Sequence, residues 1–166
     1  LHMHSNRSDG RLSCDEVLVE ASKKKLDIIC ISDHDLAPIL DARVYSDHGH
    51  DVRVIHGAEM SVNLSGEEQH FLAYFPSSMP EGFRQICCEA AQARAQRYDA
   101  LCDELDLEGV RRSDEASRVG ARSLTRLHLA RAVVDAGHAR TISEVFDRWL
   151  RKKEGVDHFP DVVSMI

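Results

Sequence analysis

The sequence lacks an excess of basic residues. It contains 21 lysines and arginines against 28 aspartates and glutamates, which gives a formal net charge of −7. A protein that coats nucleic acid needs a basic surface, so this balance argues against an extended nucleic-acid interface. A nucleotide substrate stays compatible with it, because divalent cations at a carboxylate-rich site would reverse the local field. The charge therefore excludes one broad class of function and leaves small anionic ligands open.

Long apolar runs and paired cysteines are also missing. No stretch approaches the roughly 18 apolar residues of a membrane-spanning helix, and no signal peptide is recognisable, so we expect no membrane association. The cysteines are odd in number and form no C-x-x-C pair, which predicts reduced, mostly buried thiols in a cytoplasmic protein. They are Cys14, Cys30, Cys87, Cys88 and Cys102.

The first 80 residues carry a mixed pattern of helices and strands. With 166 residues, 43% of them hydrophobic, the chain can bury one sizeable core. The first expected elements are a strand end at 2–4, a helix from the capping box at Ser13–Glu16 to about Lys25 and a buried strand at 27–31. A moderately helical stretch to about Ser46 and strands at 52–55 and 57–62 should follow. A turn at Ser65-Gly66 and a hairpin partner at 69–75 complete the pattern. Through residue 55 this β-α-β-α-β order predicts a parallel sheet with its site at the carboxyl ends of the strands.

The pattern changes to nearly all helix between Glu81 and about Lys153. Ile86, Ala90, Ala93, Arg97 and Leu101 follow helical spacing. A second helix is expected at 124–136, and a capping box at 141–144 predicts a third helix through Leu150. The chain starts at a strand end, and residues 161–166 look like the first turns of another helix. We therefore expect this sequence to be a fragment of a longer protein.

Histidines and acids collect at the predicted strand ends. His2 and His4 are two residues apart on a strand and so point to the same face, where two imidazoles typically hold a metal ion. The further candidate ligands are Asp9, His34, Glu59 and, with a less secure strand assignment, His70. This mixture of imidazoles and carboxylates suits Mn, Fe or Zn better than Mg or Ca. A carboxylate such as Glu59 can bridge two ions, which could together activate water for phosphoryl displacement.

Other histidines have no such setting. A single histidine in a loop is usually a surface or capping residue, and an H-x-H pair alone is a weak signal of metal binding. The pair gains its weight here from the polar motifs that follow each later strand. We expect ordinary structural roles for the isolated histidines His48, His50, His56, His138 and His158.

Four motifs resemble the opening motifs of the PHP-domain (polymerase and histidinol phosphatase) phosphoesterases. They are Leu1-His2-Met3-His4-Ser5, Ser8-Asp9-Gly10, Ser32-Asp33-His34-Asp35 and Gly57-Ala58-Glu59-Met60-Ser61. The resemblance implies a distorted (β/α)7 barrel with two or three divalent metal ions at the strand ends and hydrolysis of phosphoesters. It places metal ligands at His2, His4, Asp9, His34, Glu59 and His70. The catalytic residues would be Asp9, His34 and Glu59, with Glu59 as the bridge.

On this resemblance the chain is an α/β protein that comprises part of a barrel. Residues 1–80 would form the amino-terminal half of the barrel, residues 81–158 an inserted all-helical subdomain, and residues 159–166 the start of the return to the barrel. The family completes its site with an Ala-His-Pro motif and a Gly-Ser-Asp-x-His motif, and neither occurs in these 166 residues. A set of ligands without them would bind metal more weakly.

The helical region resembles one branch of the family. Residues 124–131 and 145–150 look like the insertion of the nucleoside 3′,5′-bisphosphate phosphatases, some of which trim short RNA from its 5′ end. This implies that Arg126 and His128 bind a substrate phosphate, whereas Arg131 points to a different helical face. A surface salt bridge for either arginine and a packing role for His128 are equally open.

Two alternatives to this function remain. Another PHP activity, such as a histidinol-phosphate phosphatase or a proofreading nuclease, fits less well because of the helical match. A non-catalytic domain that binds metal or a partner protein gains weight from the missing motifs. The expected ligand is a small phosphorylated molecule of the nucleotide class, and the oligomeric state stays open.

Overall fold

The computed structural model describes residues 1–65 and 67–150. Its strands are β1 (Ile28–Ile29), β2 (Val44–Asp47), β3 (His50–Val54), β4 (His56–Leu64) and β5 (Glu67–Phe75). Its α-helices are α1 (Cys14–Lys23), α2 (Phe83–Leu105), α3 (Glu115–Arg118), α4 (Arg126–Asp135) and α5 (Ile142–Val145), the last running into a π-helical turn at Phe146–Leu150. Within the described residues no helix is both long enough and apolar enough to cross a bilayer.

The first helix forms as its sequence predicts. The Ser13 hydroxyl accepts a hydrogen bond from the Glu16 N–H at 3.2 Å, and the Glu16 carboxylate accepts one from the Ser13 N–H at 2.7 Å. This capping box satisfies two backbone groups that the helix itself leaves free. Val17, Leu18 and Ala21 are buried and pack against β1 and β3. The helix therefore covers one face of the sheet that carries the first motifs.

The predicted β-α-β-α-β order is wrong after β1. The stretch expected to be helical up to Ser46 contains no helix and ends in β2, which pairs antiparallel with β3. The reason is a two-residue hairpin turn, in which His48 and Gly49 both have positive φ (46° and 75°) as this tight turn requires. Val44 and Tyr45 favour a strand beside it. The sheet is therefore mixed, with the order β1-β3-β2.

Parallel pairing is present between the segments that carry the sequence motifs. β1 is parallel to β3, and isolated parallel bridges join Met3 to Ile31 and His34 to Glu59. The strand predicted at 27–31 is thus regular over only two residues, but its extension reaches both the amino-terminal segment and β4. These bridges bring the His2–His4 segment, the loop after β1 and the middle of β4 side by side.

The hairpin predicted at 57–62 and 69–75 is confirmed. β4 and β5 pair antiparallel along their full lengths, from His56 opposite Phe75 to Leu64 opposite Glu67. Ser65 occupies the turn with a positive φ of 56°, and Gly66, the second residue of the predicted turn, lies outside the described residues. Ala58 and Met60 are buried against α2, where Phe83, Cys87 and Ala90 meet them.

The region from residue 81 to residue 150 is mainly helical, as predicted. Its core contains Leu101, Leu129, Val133, Val145 and Leu150, all buried. At the start of α5 the Thr141 hydroxyl accepts the Glu144 N–H, as in the predicted capping box, but the Glu144 carboxylate accepts from the Arg140 N–H instead of returning to Thr141. The expectations for residues 151–166, including Lys153, His158 and the terminal helix, lie outside the described residues.

We expect Leu129→Ala to destabilise the protein by about 2–5 kcal/mol, because the side chain is fully buried and its truncation leaves a cavity. The matched control is Leu12→Ala, whose side chain is 39% exposed. That variant should change the free energy of unfolding by about 0.5 kcal/mol or less. Denaturant titration measures both, and equal losses would contradict this view of the helical core.

Candidate metal centre

Glu59 lies at the centre of the histidine cluster. It is buried on β4, and its Oε2 atom lies 2.9 Å from His2 Nε2 and 2.9 Å from His4 Nε2. Its other oxygen, Oε1, lies 2.9 Å from His70 Nδ1. The two histidine nitrogens on the first side are themselves only 2.9 Å apart. One carboxylate therefore joins imidazoles from the amino-terminal segment and from β5.

His70 reaches Glu59 because of the hairpin register. Ser61 faces His70 directly across the two strands, so Glu59 and His70 are diagonal neighbours on one face of the ribbon. Such diagonal pairs lie within reach of each other when a side chain is long. A shift of one residue would turn His70 to the opposite face. The placement of His70 thus depends on the pairing that the turn at residue 65 sets.

Asp9 and His34 extend the cluster on the other side. His4 Nδ1 lies 3.0 Å from Asp9 Oδ1, and His34 Nε2 lies 3.7 Å from Asp9 Oδ2. His34 Nδ1 lies 3.6 Å from Glu59 Oε2, and it is a buried nitrogen without a hydrogen-bond partner among the described residues. Such a ring nitrogen is available to bind a cation.

The six candidate ligands form three overlapping groups. Within each group one ligand atom per residue lies within 4.8 Å of the others. The groups are His2, His4 and Glu59; His4, Asp9 and His34; and His34, Glu59 and His70. Because neighbouring groups share a residue, the arrangement fits several adjacent cations better than one. The donor set of imidazole nitrogens and carboxylate oxygens matches the preferences of Mn, Fe and Zn.

The charges of the cluster favour cations. Hydrogen bonds with His34 and His4 hold the pKa of Asp9 well below its ordinary value. Burial alone would raise the pKa of Glu59, but the hydrogen bond from His2 and the neighbouring histidines outweigh it and lower that pKa. Both carboxylates are therefore ionised at neutral pH, as metal ligands must be.

Histidines in the cluster respond in the opposite direction. Burial would lower the pKa of His4, but the hydrogen bond and charge of Asp9 raise it above its ordinary value. The hydrogen bond with Glu68 is the main reason that the pKa of His70 is raised. Both raised pKa values favour the protonated form of these rings beside the two carboxylates. Cation binding at these nitrogens would displace those protons.

A buried network that the sequence analysis did not assign holds the Asp9 loop. Asp33 accepts hydrogen bonds from the Ser5 N–H and hydroxyl, both at 2.6 Å, and from the Ser8 hydroxyl at 2.7 Å. Asp33 and both serines are almost fully buried. Asp33 thus fixes the loop that precedes Asp9. The sequence signal that could have identified Asp33 is its position next to His34 in the Ser-Asp-His-Asp motif.

A second unassigned network joins the cluster to the helical region. Asp35, buried with a positive φ of 53°, accepts the Ser61 N–H at 2.6 Å and forms an ion pair with Arg94 of α2. Arg94 also donates to the Ser61 hydroxyl at 2.5 Å. Since a buried pair loses its hydration, removal of one partner would leave an uncompensated charge. Through their hydrogen bonds with Ser61, Asp35 and Arg94 connect α2 to the strand that carries Glu59.

Glu68 contacts the ring nitrogen of His70 that does not contact Glu59. Its Oε1 lies 3.1 Å from His70 Nε2, and its Oε2 lies 3.2 Å from Arg97 and 3.6 Å from Arg126. An outer carboxylate of this kind fixes the orientation of an imidazole ligand. Sequence reasoning could have found this arrangement, because the charged residue Arg97 lies on the apolar face of the predicted helix and therefore needs a buried acidic partner.

The structure separates the two residues predicted to bind a phosphate. Arg126 lies beside Glu68, on the His70 side of the cluster. His128 lies on the Asp9 side, where its Nδ1 accepts the Thr125 N–H at 3.0 Å and its ring bonds to the backbone of Ser8. Burial and the nearby charges of Arg122 and Arg131 lower the pKa of His128 to about 4, so the ring is neutral at physiological pH.

The isolated histidines stand apart from the three ligand groups. His56 Nε2 lies 3.1 Å from the carbonyl of Leu40, and His138 Nε2 lies 2.7 Å from that of Glu108. His50 lies 3.4 Å from Asp27, and His48 occupies the hairpin turn. Within the described residues these four histidines therefore belong to no ligand group.

Comparison with known proteins identifies the family. The PHP domain matches residues 1–153, which is most of the chain, and the chain therefore belongs to the PHP domain family. The cluster of histidines and acids described above lies entirely within the matched region.

The curated relatives are enzymes that are longer than this chain. A 5′-3′ exoribonuclease from Haemophilus influenzae is 28% identical over 152 residues, which cover 90% of this chain and 55% of the relative. A 3′,5′-nucleoside bisphosphate phosphatase from Chromobacterium violaceum is 27% identical over 156 residues, which cover 90% of this chain and 54% of the relative. The chain spans about half the length of the curated relatives that it matches.

Solved structures agree on the fold. A chain described as a metal-dependent phosphoesterase from Bifidobacterium adolescentis aligns with a TM-score of 0.64 and 24% identity, over 96% of this chain and 58% of that one. An amidohydrolase from Chromobacterium violaceum with bound sulfate aligns with a TM-score of 0.63 and 23% identity, over 93% and 55%. At this identity the likeness concerns the fold, which is of the α/β class.

Glu68 gives a prediction for pH dependence. Burial alone would raise its pKa, but the hydrogen bond with His70 and the charges of Arg97, Arg94 and Arg126 lower it from 4.5 to about 2. Because the folded-state pKa is depressed, the stabilisation is fully present above pH 4.5 and is lost as the pH falls toward 2. We expect it to amount to at most about 3 kcal/mol.

The measurement is the free energy of unfolding between pH 5 and pH 2 for the wild type and Glu68→Gln. The variant should lose part of the pH dependence in this window. Glu67→Gln, an exposed neighbour on the same strand, should keep the wild-type slope. Identical slopes for all three proteins would show that Glu68 is not the coupled group.

Proposed function

We propose that this chain belongs to a metal-dependent phosphoesterase that hydrolyses small nucleotide-like phosphomonoesters, with 3′,5′-bisphosphates or short RNA ends as substrates. The observation that carries the proposal is the convergence of three ligand groups on shared residues around Glu59. The names of the relatives, a bisphosphate phosphatase and exoribonucleases, support the same class of substrate. The substrate and the metal are part of the proposal.

Six residues would hold two or three divalent ions of Mn, Fe or Zn. They are His2, His4, Asp9, His34, Glu59 and His70. Bound divalent cations would supply Lewis acidity toward water and toward the phosphoryl oxygens. We assign the catalytic roles to Asp9, His34 and Glu59, as the family resemblance implies. His34 and Glu59 each belong to two ligand groups, and the pKa of Asp9 is held well below its ordinary value. Glu59 would bridge neighbouring ions, because each of its oxygens faces a different set of imidazoles.

Arg126 and His128 would contribute differently to substrate binding. Arg126 is partly exposed and lies 3.6 Å from Glu68, a loose contact that a phosphate could replace. A guanidinium offers phosphate a planar pair of donors. His128 is neutral and is engaged at Nδ1, so we propose that it borders the substrate and orients the Ser8–Asp9 loop without adding charge.

The barrel itself is part of the proposal. We propose that residues 1–80 form the amino-terminal half of a distorted (β/α)7 barrel and that residues 81–158 are an inserted helical subdomain, with the return to the barrel at 159–166. The parallel bridges at Met3 and His34 and the helices after residue 83 support this division up to residue 150. We also propose a cytoplasmic setting, since all five cysteines are free thiols.

A non-catalytic, metal-binding domain is the second candidate. It requires only the ligand cluster around Glu59, which the described residues contain. Such a domain would keep the cluster around Glu59 but lack turnover. Metal content and activity therefore have to be measured on the same preparation.

For the enzyme, we expect release of phosphate from a nucleoside 3′,5′-bisphosphate that is lost after treatment with a chelator and restored by Mn²⁺, because the ligands themselves supply no Lewis acid. Elemental analysis and a phosphate-release assay on the same preparation provide the measurement. Stoichiometric metal without turnover on any phosphomonoester would favour the non-catalytic domain.

We expect Glu59→Gln to reduce turnover by at least about 100-fold and to lower the metal content, because the amide removes the shared negative charge of the cluster. The control is Glu67→Gln on the adjacent strand, where the side chain is exposed and outside the ligand groups. Full activity in Glu59→Gln would remove the bridging role of Glu59.

A further inference from the structure

Arg94 lies near the middle of α2 and is only 4% exposed. Its guanidinium forms an ion pair with Asp35 and donates a hydrogen bond to the Ser61 hydroxyl at 2.5 Å. A further hydrogen bond, at 3.4 Å, reaches the carbonyl of Leu124 in the segment before α4. One buried side chain therefore contacts the loop after β1, the strand β4 and the helical region.

The two side-chain acceptors of this guanidinium are neighbours of candidate metal ligands. Asp35 directly follows His34 in the chain. Ser61 lies two residues after Glu59, on the same face of β4, and directly opposite His70 in the hairpin. One of the three ligand groups consists of these same three residues, His34, Glu59 and His70. The guanidinium thus contacts a neighbour of every member of that group.

The conformation of Asp35 couples its side chain to the backbone of Glu59. Its φ of 53° lies in the left-handed region, which a non-glycine residue keeps only where its surroundings fix it. The Asp35 N–H donates to the Glu59 carbonyl at 2.8 Å, and the Asp35 carboxylate accepts the Ser61 N–H at 2.6 Å. The ion pair with Arg94 engages the other carboxylate oxygen. Loss of the guanidinium would therefore loosen the placement of the loop after β1 against β4.

Stability alone does not explain this buried ion pair. Removing a guanidinium and a carboxylate from water costs about as much as their attraction returns, so a well-packed apolar pair would often serve the fold equally well. The neighbouring positions on this face of α2, Cys87, Ala90 and Ala91, are small and buried. A charged side chain among them calls for a reason other than packing, and the adjacent ligand group supplies one.

We propose that Arg94 is a positioning residue for the cation held by His34, Glu59 and His70, because it fixes the loop after β1 and the hairpin in the placement that lets these ligands converge. The inference rests on the metal-dependent function proposed above and deepens it, since occupancy of one metal position then depends on the helical region. Arg94 acts through its two acceptors and requires no contact with the metal or the substrate.

The test is a titration of the metal-free protein with Co²⁺, followed by calorimetry and visible absorption. Replacement of an outer residue that orients metal ligands lowers metal affinity by about 10–100-fold. We expect Arg94→Gln to weaken one Co²⁺ equivalent to this extent and to leave any other equivalent unchanged. Wild-type affinity for every equivalent in a folded Arg94→Gln variant overturns the inference.

A second variant decides the question if Arg94→Gln does not fold, because that substitution leaves the Asp35 carboxylate buried without its cation. Ser61→Ala keeps the ion pair and removes only the hydroxyl that accepts from Arg94. We expect it to weaken the same Co²⁺ equivalent about tenfold. Where Ser61→Ala is the deciding variant, wild-type affinity overturns the inference.

Two controls separate positioning from a general loss of stability. Arg84→Gln replaces an exposed arginine of the same helix and should bind Co²⁺ like the wild type. Val145→Ala truncates a fully buried side chain in the helical core, outside the ligand groups, so it should unfold at lower denaturant yet bind Co²⁺ like the wild type. Loss of the same equivalent in Val145→Ala would reduce Arg94 to an ordinary structural residue and overturn the inference.

A double-mutant cycle identifies the equivalent that is lost. His70→Ala should weaken the same Co²⁺ equivalent, and in the Arg94→Gln or Ser61→Ala background it should cause less than its full separate effect, since residues that act on one site are not additive. Fully additive losses would place Arg94 outside this ligand group and overturn the inference.

Phosphate release by the Mn²⁺-loaded wild type separates this inference from the proposed function. Weakened Co²⁺ binding in the variants, together with no turnover by the wild type, would keep the role of Arg94 and reject the phosphoesterase. Turnover by the wild type with unaltered Co²⁺ binding in the variants would do the reverse. Absence of Co²⁺ binding by the wild type also overturns the role of Arg94.

Discussion

The carboxylate of Glu59 is the constraint on which the site depends, because three parts of the chain meet at its two oxygens. His2 and His4 come from the amino-terminal segment and His70 from the neighbouring strand of the hairpin. None of these contacts is local in sequence, apart from the pair within His2–His4. The ligand cluster can therefore form only when the parallel bridges and the antiparallel hairpin are both in place.

Burying so many ionisable groups is costly unless each has a partner. The structure meets this requirement by surrounding the ligands with a second layer of hydrogen bonds and ion pairs. Asp33 holds the Asp9 loop, Asp35 and Arg94 connect β4 to α2, and Glu68 holds His70. This layer explains why the helices after residue 83 matter to a site whose six candidate ligands all precede them. They contribute positive charge to a region rich in acids, which a sheet alone would not do.

The helical region also divides the surroundings of the cluster into two sides. Arg126 lies beside Glu68 on the His70 side, whereas His128 and Arg131 line a cavity beside the Asp9 loop. This division follows from helical geometry, since residues five apart lie on different faces of a helix. A single short helix thereby presents arginines to both edges of the same cluster.

The sequence by itself determined the residues of the candidate centre and most of the regular elements. The H-x-H pair, the Asp-His-Asp loop and the Gly-Ala-Glu strand carry chemistry that few other patterns combine, and the capping box of α1 is a local signal that the structure confirms. The predicted helix before Ser46 was wrong, because the periodicity of that stretch was weak and a two-residue turn with positive φ decided in favour of a hairpin.

Only the tertiary structure decided which groups lie next to each other. It showed that Arg126 and His128 occupy different sides of the cluster, that Asp33, Asp35 and Glu68 support the ligands, and that Arg111 and Arg131 share a cavity. Sequence spacing fixes the face of a single helix or strand on which a side chain lies. The distance between side chains on different elements depends on pairing register and packing, which only the folded chain specifies.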